Sequence, residues 1–212
     1  IKDQAPIYQN VFGEVLCDLA EKNKNIVAIT AAMREGTGLV DYSSRFPERF
    51  YDVGIAEGHA VTFSGGLSIE GKIPVVAIYS TFLQRAFDHI IHDIALQNLP
   101  VIFCLDRSGL VGEDGATHHG VLDISYLRCI QNIIISAPKD GNELRDLLYT
   151  ATLNTTKPFT IRYPKEQSVK FEKNSPQKIE IGKWEVLNKG NDLLILAVGS
   201  MVSKSLEIHL SL

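Results

Sequence analysis

A regular alternation of two kinds of segment limits the fold more than any other feature of this sequence. Short runs of β-branched and aliphatic residues at 26–30, 75–79, 101–105 and 133–136 show no polar alternation, which suits strands buried on both faces. Between them, segments 56–67, 83–96 and 143–153 carry apolar residues three and four apart, the spacing of one helix face. An opening helix is expected over 7–21, where Ile7, Val11, Phe12, Val15, Leu16 and Leu19 share a face. Asp140, three residues before Glu143, reads as an N-cap for the last helix. Strand and helix in this order predict an α/β fold with a mostly parallel sheet and helices on both faces. In such sheets ligands bind beyond the carboxyl ends of the strands.

The 212 residues suffice for one large domain and a small second one. A polar stretch at 165–177 interrupts the pattern, and a new apolar run at 193–199 is expected to be a strand, followed by a Gly199-Ser200 turn and a helix over 204–210. The expected organisation is a principal domain at 1–164, a linker at 165–190 and the start of a second, truncated α/β domain at 191–212. The lack of an initial Met points to an excised piece. Acidic and basic residues are interspersed with a net charge of −4, so no basic field invites nucleic acid. No apolar run approaches the roughly 18 to 20 residues of a membrane span. Cys17, Cys104 and Cys129 each lie in or beside an apolar run, which fits core thiols in a reducing, cytoplasmic setting.

Three clusters carry the candidate chemistry. In the first, Tyr51-Asp52-Val53-Gly54-Ile55-Ala56-Glu57-Gly58-His59 turns from a short strand into a helix, leaving Glu57 in the first turn. Glu57 is there either as a helix-start anion worth about 0.3 to 1 kcal/mol or as a functional carboxyl; His59, two residues on, points elsewhere. The second, Tyr79-Ser80-Thr81-Phe82-Leu83-Gln84-Arg85, again leaves a strand for a helix. Its aromatics fit core packing or a clamp for a flat heterocycle, and its arginine fits solvation or an anion. The third is a glycine-rich loop over 106–120 that contains Arg107, Asp114 and the pair His118-His119. Adjacent histidines converge poorly on one ion, so no metal ligands are assigned. Arg107 and Arg162, both at carboxyl ends of predicted strands, are candidates to meet across the crevice on a phosphate, with solvation the plain alternative for each.

Read together, Asp52-Val53-Gly54-Ile55-Ala56-Glu57-x-His59-Ala60, Tyr79 to Arg85, Leu96-Gln97-Asn98-Leu99-Pro100, Asp114-Gly115-x-Thr117-His118-x-Gly120 and Arg162-Tyr163-Pro164 resemble the 1-deoxy-D-xylulose-5-phosphate synthase family of transketolase-like thiamine-diphosphate enzymes. The resemblance runs in order from Tyr8 to Val202 and includes Ala197-Val198-Gly199-Ser200, the opening of the family's carboxyl-terminal domain. Transketolases and the β subunits of 2-oxo acid dehydrogenases share the Glu-bearing turn and less of the rest. A non-catalytic dimerisation domain is the reading outside enzymology.

The resemblance implies a pyrimidine-binding domain. Glu57 would hydrogen-bond the pyrimidine N1′ of thiamine diphosphate and so favour loss of the thiazolium C2 proton; Phe82 would stack on the pyrimidine, and Ile55 would brace the bent cofactor. It further implies that pyruvate is decarboxylated and joined to D-glyceraldehyde 3-phosphate, the first step of non-mevalonate isoprenoid synthesis. Tyr79, Arg85, Arg107, Asp114 and Arg162 match substrate-holding positions, and His118 matches a proton-transfer position. A homodimer is the family's habit. Two departures stand out. Gly58 replaces the usual Gln, which predicts a looser helix start. The Gly-Asp-Gly motif and downstream Asn that hold Mg²⁺ and diphosphate do not occur, so an amino-terminal domain missing from this sequence is expected to supply them, and the piece alone is expected to be inactive.

Overall fold

The computed structural model describes residues 5–154 and 156–210. Six strands, β1 (Ile26–Thr30), β2 (Phe50–Asp52), β3 (Ile73–Tyr79), β4 (Ile102–Asp106), β5 (Ile134–Ser136) and β6 (Phe159–Arg162), form one sheet in the order β2-β1-β3-β4-β6-β5. Every pair is parallel. The helices, in chain order, are α1 (Tyr8–Lys22), α2 (Val40–Arg45), α3 (Glu57–Ile69), α4 (Ser80–Leu83), α5 (Phe87–His89), α6 (Asp123–Leu127), α7 (Gly141–Thr152) and α8 (Met201–His209).

Two cores follow from the alternation of side chains along each strand. On one face Ala28, Val75, Ala77, Cys104 and Ile161 pack against Phe12 and Leu16 of α1 and Leu148 of α7. On the other, Ile29, Val76, Ile78 and Phe103 pack against Val61 of α3 and against Ile90 and Ile94. β1 and β4 are buried throughout, as their unbroken apolar runs require. The run at 133–136 was expected to be equally covered, but β5 is an edge strand with a neighbour on one side only, and its residues are half-buried. Asp140 caps α7 as expected, its carboxylate accepting from Glu143 N at 2.8 Å, while the Glu143 carboxylate accepts from Lys139 N at 2.6 Å.

The expected helix over 83–96 is broken in the structure. α4 gives way to a 3₁₀ turn at Gln84–Ala86, then α5, then a π-helical stretch at Ile90–Ala95. Ala86, at φ −109° and ψ 12°, is where the regular backbone lapses. Apolar residues three and four apart fit all three windings, so the pattern alone does not reveal the changes between them.

Residues 165–180 lie along α1 and α7. Ser168 Oγ accepts from Gly141 N at 2.7 Å, Ile179 N donates to Thr150 Oγ1 at 2.8 Å, and Phe171 and Ile179 pack against the α1 core. The run at 193–198 forms no strand, because no other strand among the described residues lies beside it to complete its hydrogen bonds; Leu194 is 80% exposed. α8 follows it. Cys17 and Cys104 are buried, but Cys129 is exposed: Asp123, Leu127 and Ile130 take the inward positions of its segment and leave Cys129 off that face. No helix among the described residues is long and apolar enough to cross a membrane.

Candidate active site

The carboxyl ends of β2, β3, β4 and β6 deliver the candidate residues to one edge of the sheet. After β2 the chain reverses through Gly54, at φ +69°, where Asp52 Oδ1 accepts from Gly54 N at 3.0 Å and from Ala32 N at 2.8 Å. That tight turn starts α3 at Glu57, which is 3% exposed. Ala56 offers no side-chain cap, and a carboxylate in the first turn is the charge that the amino end of a helix favours. Glu57 Oε1 accepts from Arg85 Nη1 at 2.7 Å, and its other oxygen has no donor among the described residues. The Arg85 guanidinium also lies 5.1 Å from the Phe82 ring centroid, so one cation bridges the carboxylate and the aromatic face. Arg85 itself is 56% exposed, and an ion pair so open to water is held loosely.

The helix start is not loose at Gly58. A Cβ built there would stand 2.7 Å from His89 Cε1 and 2.9 Å from Nε2, so the imidazole of His89 fills the space a larger residue would take. His89 Nδ1 is buried and has no hydrogen-bond partner among the described residues. His59 is exposed and stacks on Phe63 at 5.9 Å, away from Glu57.

Tyr79 and Phe82 stack at 5.7 Å with an 18° interplanar angle, and His118 meets the Phe82 ring edge-on at 5.4 Å. Tyr79, Phe82, Arg85, Glu57 and His118 therefore form one contiguous group. Ile55 stands 80% exposed at the tip of the β2–α3 turn. His119 has a separate task, its Nδ1 accepting from Val111 N at 3.2 Å within the loop. That loop is closed at its base by Gly109 and Gly120, each donating its N–H to the other's carbonyl at 2.8 Å. Gly120 is required there, since a Cβ would lie 2.3 Å from Arg107 O.

Arg107 is 7% exposed and sits in left-handed backbone at φ +59°. Its guanidinium lies 3.8 Å over the Tyr79 ring, donates from Nη1 to Gly36 O at 2.7 Å and from Nε to Asp114 Oδ2 at 3.1 Å. Asp106 Oδ1 accepts from Arg107 N at 2.6 Å and lies 3.2 Å from Nη1. Burial pushes the Asp106 carboxyl up to about 7 against the opposing pull of Arg107. Burial likewise raises the Tyr79 phenol, opposed by Arg107. Asp114 is held below the usual carboxylate range by its hydrogen bond from Lys165, at 2.7 Å, with Arg107 assisting.

Arg162 does not meet Arg107. Register pairs Arg162 with Leu105, which belongs to the α3-side core, whereas the left-handed turn at Arg107 swings that side chain toward Gly36. Arg162 Nε instead donates to Asp123 Oδ2 at 2.9 Å. Sequence reasoning missed Asp106, Asp123, Lys165 and His89. The first two are adjacent to, or remote from, the arginines they hold and carry no motif of their own; only the fold shows the pairing.

A family model described as "Transketolase, pyrimidine binding domain" matches residues 4–169. The chain is 58% identical over 206 residues to a 1-deoxy-D-xylulose-5-phosphate synthase of Aquifex aeolicus, covering 97% of this chain and 33% of that protein. It is 62% identical over 205 residues to the enzyme of the same name from Dictyoglomus thermophilum, with 96% and 33% covered. The chain thus spans about a third of the length of these curated relatives. Among solved structures, a split-gene transketolase described as an inactive β4 tetramer superposes with a TM-score of 0.81 at 31% identity, over 96% of this chain and 66% of that one. A transketolase of Pichia stipitis shares the fold, with a TM-score of 0.72 at 18% identity over 82% of this chain and 28% of that one.

Proposed function

The chain belongs to the transketolase pyrimidine-binding domain family, and from that premise we propose that it is the pyrimidine-holding part of a 1-deoxy-D-xylulose-5-phosphate synthase. The whole protein would decarboxylate pyruvate and join the remaining two carbons to D-glyceraldehyde 3-phosphate. Thiamine diphosphate, when bound, supplies the carbon nucleophile and electron sink for that chemistry. The observation that carries the reading is Glu57: a buried carboxylate at the start of α3, with one oxygen lacking a donor among the described residues and Phe82 joined to it through Arg85.

These residues fit a protonated ring nitrogen beside a flat face. In this reading Glu57 holds the proton at pyrimidine N1′, Phe82 stacks on the ring, and exposed Arg85 yields its place as the ring enters. Ile55 lends an apolar brace. Tyr79, Arg107, Asp114 and Arg162 hold the phosphorylated acceptor, and His118, against Phe82, moves a proton at the reacting oxygen. Mg²⁺ and the diphosphate fall to residues outside this chain, in an amino-terminal domain, and the complete protein works as a cytoplasmic homodimer.

The test is substrate choice by the full-length protein with thiamine diphosphate and Mg²⁺. Carbon dioxide release from pyruvate that depends on D-glyceraldehyde 3-phosphate is expected. A protein that ignores this pair but transfers two carbons from a ketose phosphate would overturn the assignment in favour of transketolase.

A further inference from the structure

The residue that ties the candidate acceptor site together is one the motifs do not include. Asp123 is 1% exposed and is the first residue of α6. Its carboxylate takes three donors from three parts of the chain: Arg162 Nε at 2.9 Å from the end of β6, Ser108 Oγ at 3.0 Å from the start of the glycine-rich loop, and Ile124 N at 2.8 Å from α6 itself. Ser108 is also tied to β4 and to the residue after β6, its hydroxyl lying 3.2 Å from Leu105 O and its N–H donating to Tyr163 O at 3.1 Å.

The consequence for Arg162 is geometric. A guanidinium is planar and has five N–H donors. Asp123 engages only Nε, which leaves both Nη groups without a hydrogen bond to any described residue. The side chain is 18% exposed, so those four donors lie close to solvent while the plane that carries them is fixed from behind. Paired Nη groups on a fixed plane match the oxygen spacing of a phosphate monoester. Lysine, a point charge on a flexible stem, would gain nothing from such support.

We propose that Asp123, steadied by Ser108, is a positioning residue that orients Arg162 for the phosphate of the acceptor substrate. This rests on the reading of Arg162 as a ligand of that phosphate. Asp123 touches no substrate; it acts through Arg162, and loss of its charge frees the guanidinium plane to turn.

The experiment is steady-state kinetics of the full-length enzyme with thiamine diphosphate and Mg²⁺, for Asp123→Asn, Ser108→Ala, Arg162→Ala and the double variant Asp123→Asn/Arg162→Ala. Misplacing an otherwise intact binding group costs up to about 100-fold. Asp123→Asn is expected to raise the KM for D-glyceraldehyde 3-phosphate about 10-fold, with the pyruvate KM and kcat within about twofold; Ser108→Ala should do the same more mildly. In the Arg162→Ala background, Asp123→Asn should add less than about twofold, because the group it positions is gone. If Arg162→Ala leaves the acceptor KM unchanged, the phosphate role of Arg162 falls, and this proposal with it. If Arg162→Ala raises that KM while folded Asp123→Asn does not, or if the two effects multiply, only the positioning role is overturned. Should Asp123→Asn fail to fold, Ser108→Ala decides by the same criteria.

Discussion

A buried carboxylate beside an arginine is not one chemical situation but two, and this site contains both. Glu57 keeps one oxygen without a donor among the described residues and leans on an arginine that is mostly in water, so a ligand can replace that partner at little cost. Asp106 is fully buried against an arginine that is itself buried, and burial dominates: its carboxyl is pushed up to about 7 from an ordinary value near 3.8. The folded state therefore keeps a proton that the unfolded chain has lost. Stability from this group is complete below pH 4 and declines as the pH rises toward 7. At about 1.4 kcal/mol per unit over roughly three units, the loss is on the order of 4 kcal/mol. Asp106→Asn, which cannot titrate, should lack that decline. Denaturant unfolding of both full-length proteins between pH 4 and pH 8 should show the wild type losing ground to the variant up to about pH 7 and running parallel above it. Parallel behaviour across the whole range would show that Asp106 titrates normally.

At the level of elements, the sheet was legible in the sequence because its strands depend on what each segment contains. The runs at 26–30, 75–79 and 101–105 are apolar without interruption and became the central strands. The run at 193–198 has the same character but no neighbour to bond among the described residues, so it stays irregular; a strand is a property of pairs, and a single segment cannot declare its partner. Gly58 shows the same limit within a helix. Its small size reads as weakness in isolation, yet His89, on a different element, occupies the space. Gly58→Ala should destabilise the protein by about 1 kcal/mol through overpacking. In a His89→Ala background the same change should instead stabilise by about 0.5 kcal/mol, since Ala is the better helix former. Thermal unfolding of the four proteins measures the sign; stabilisation in both backgrounds would mean that His89 does not hold that space.

For the molecule as a whole, the parallel order β2-β1-β3-β4-β6-β5 converts distant sequence positions into one site. Glu57, Phe82, Arg107 and Arg162 span more than a hundred residues but emerge at the same edge, which the alternation of strand and helix in the sequence already implied. It could not say how they are held. Arg107 and Arg162, expected to share an anion, are each secured by a separate carboxylate, and neither Asp106 nor Asp123 announces that task by type or spacing. Those supports depend on register and on the left-handed turn at Arg107, both of which exist only once the sheet has formed. The central claim is that Glu57 holds a proton on the pyrimidine ring and thereby speeds loss of the thiazolium C2 proton. The direct measurement is exchange of that proton for solvent deuterium, followed by acid quench and proton NMR, in the full-length holoenzyme. Glu57→Gln should slow exchange by about 100-fold or more, in the range general acid–base groups contribute, with Arg85→Ala within a few-fold of wild type. Wild-type exchange in Glu57→Gln, with cofactor bound, would contradict the account.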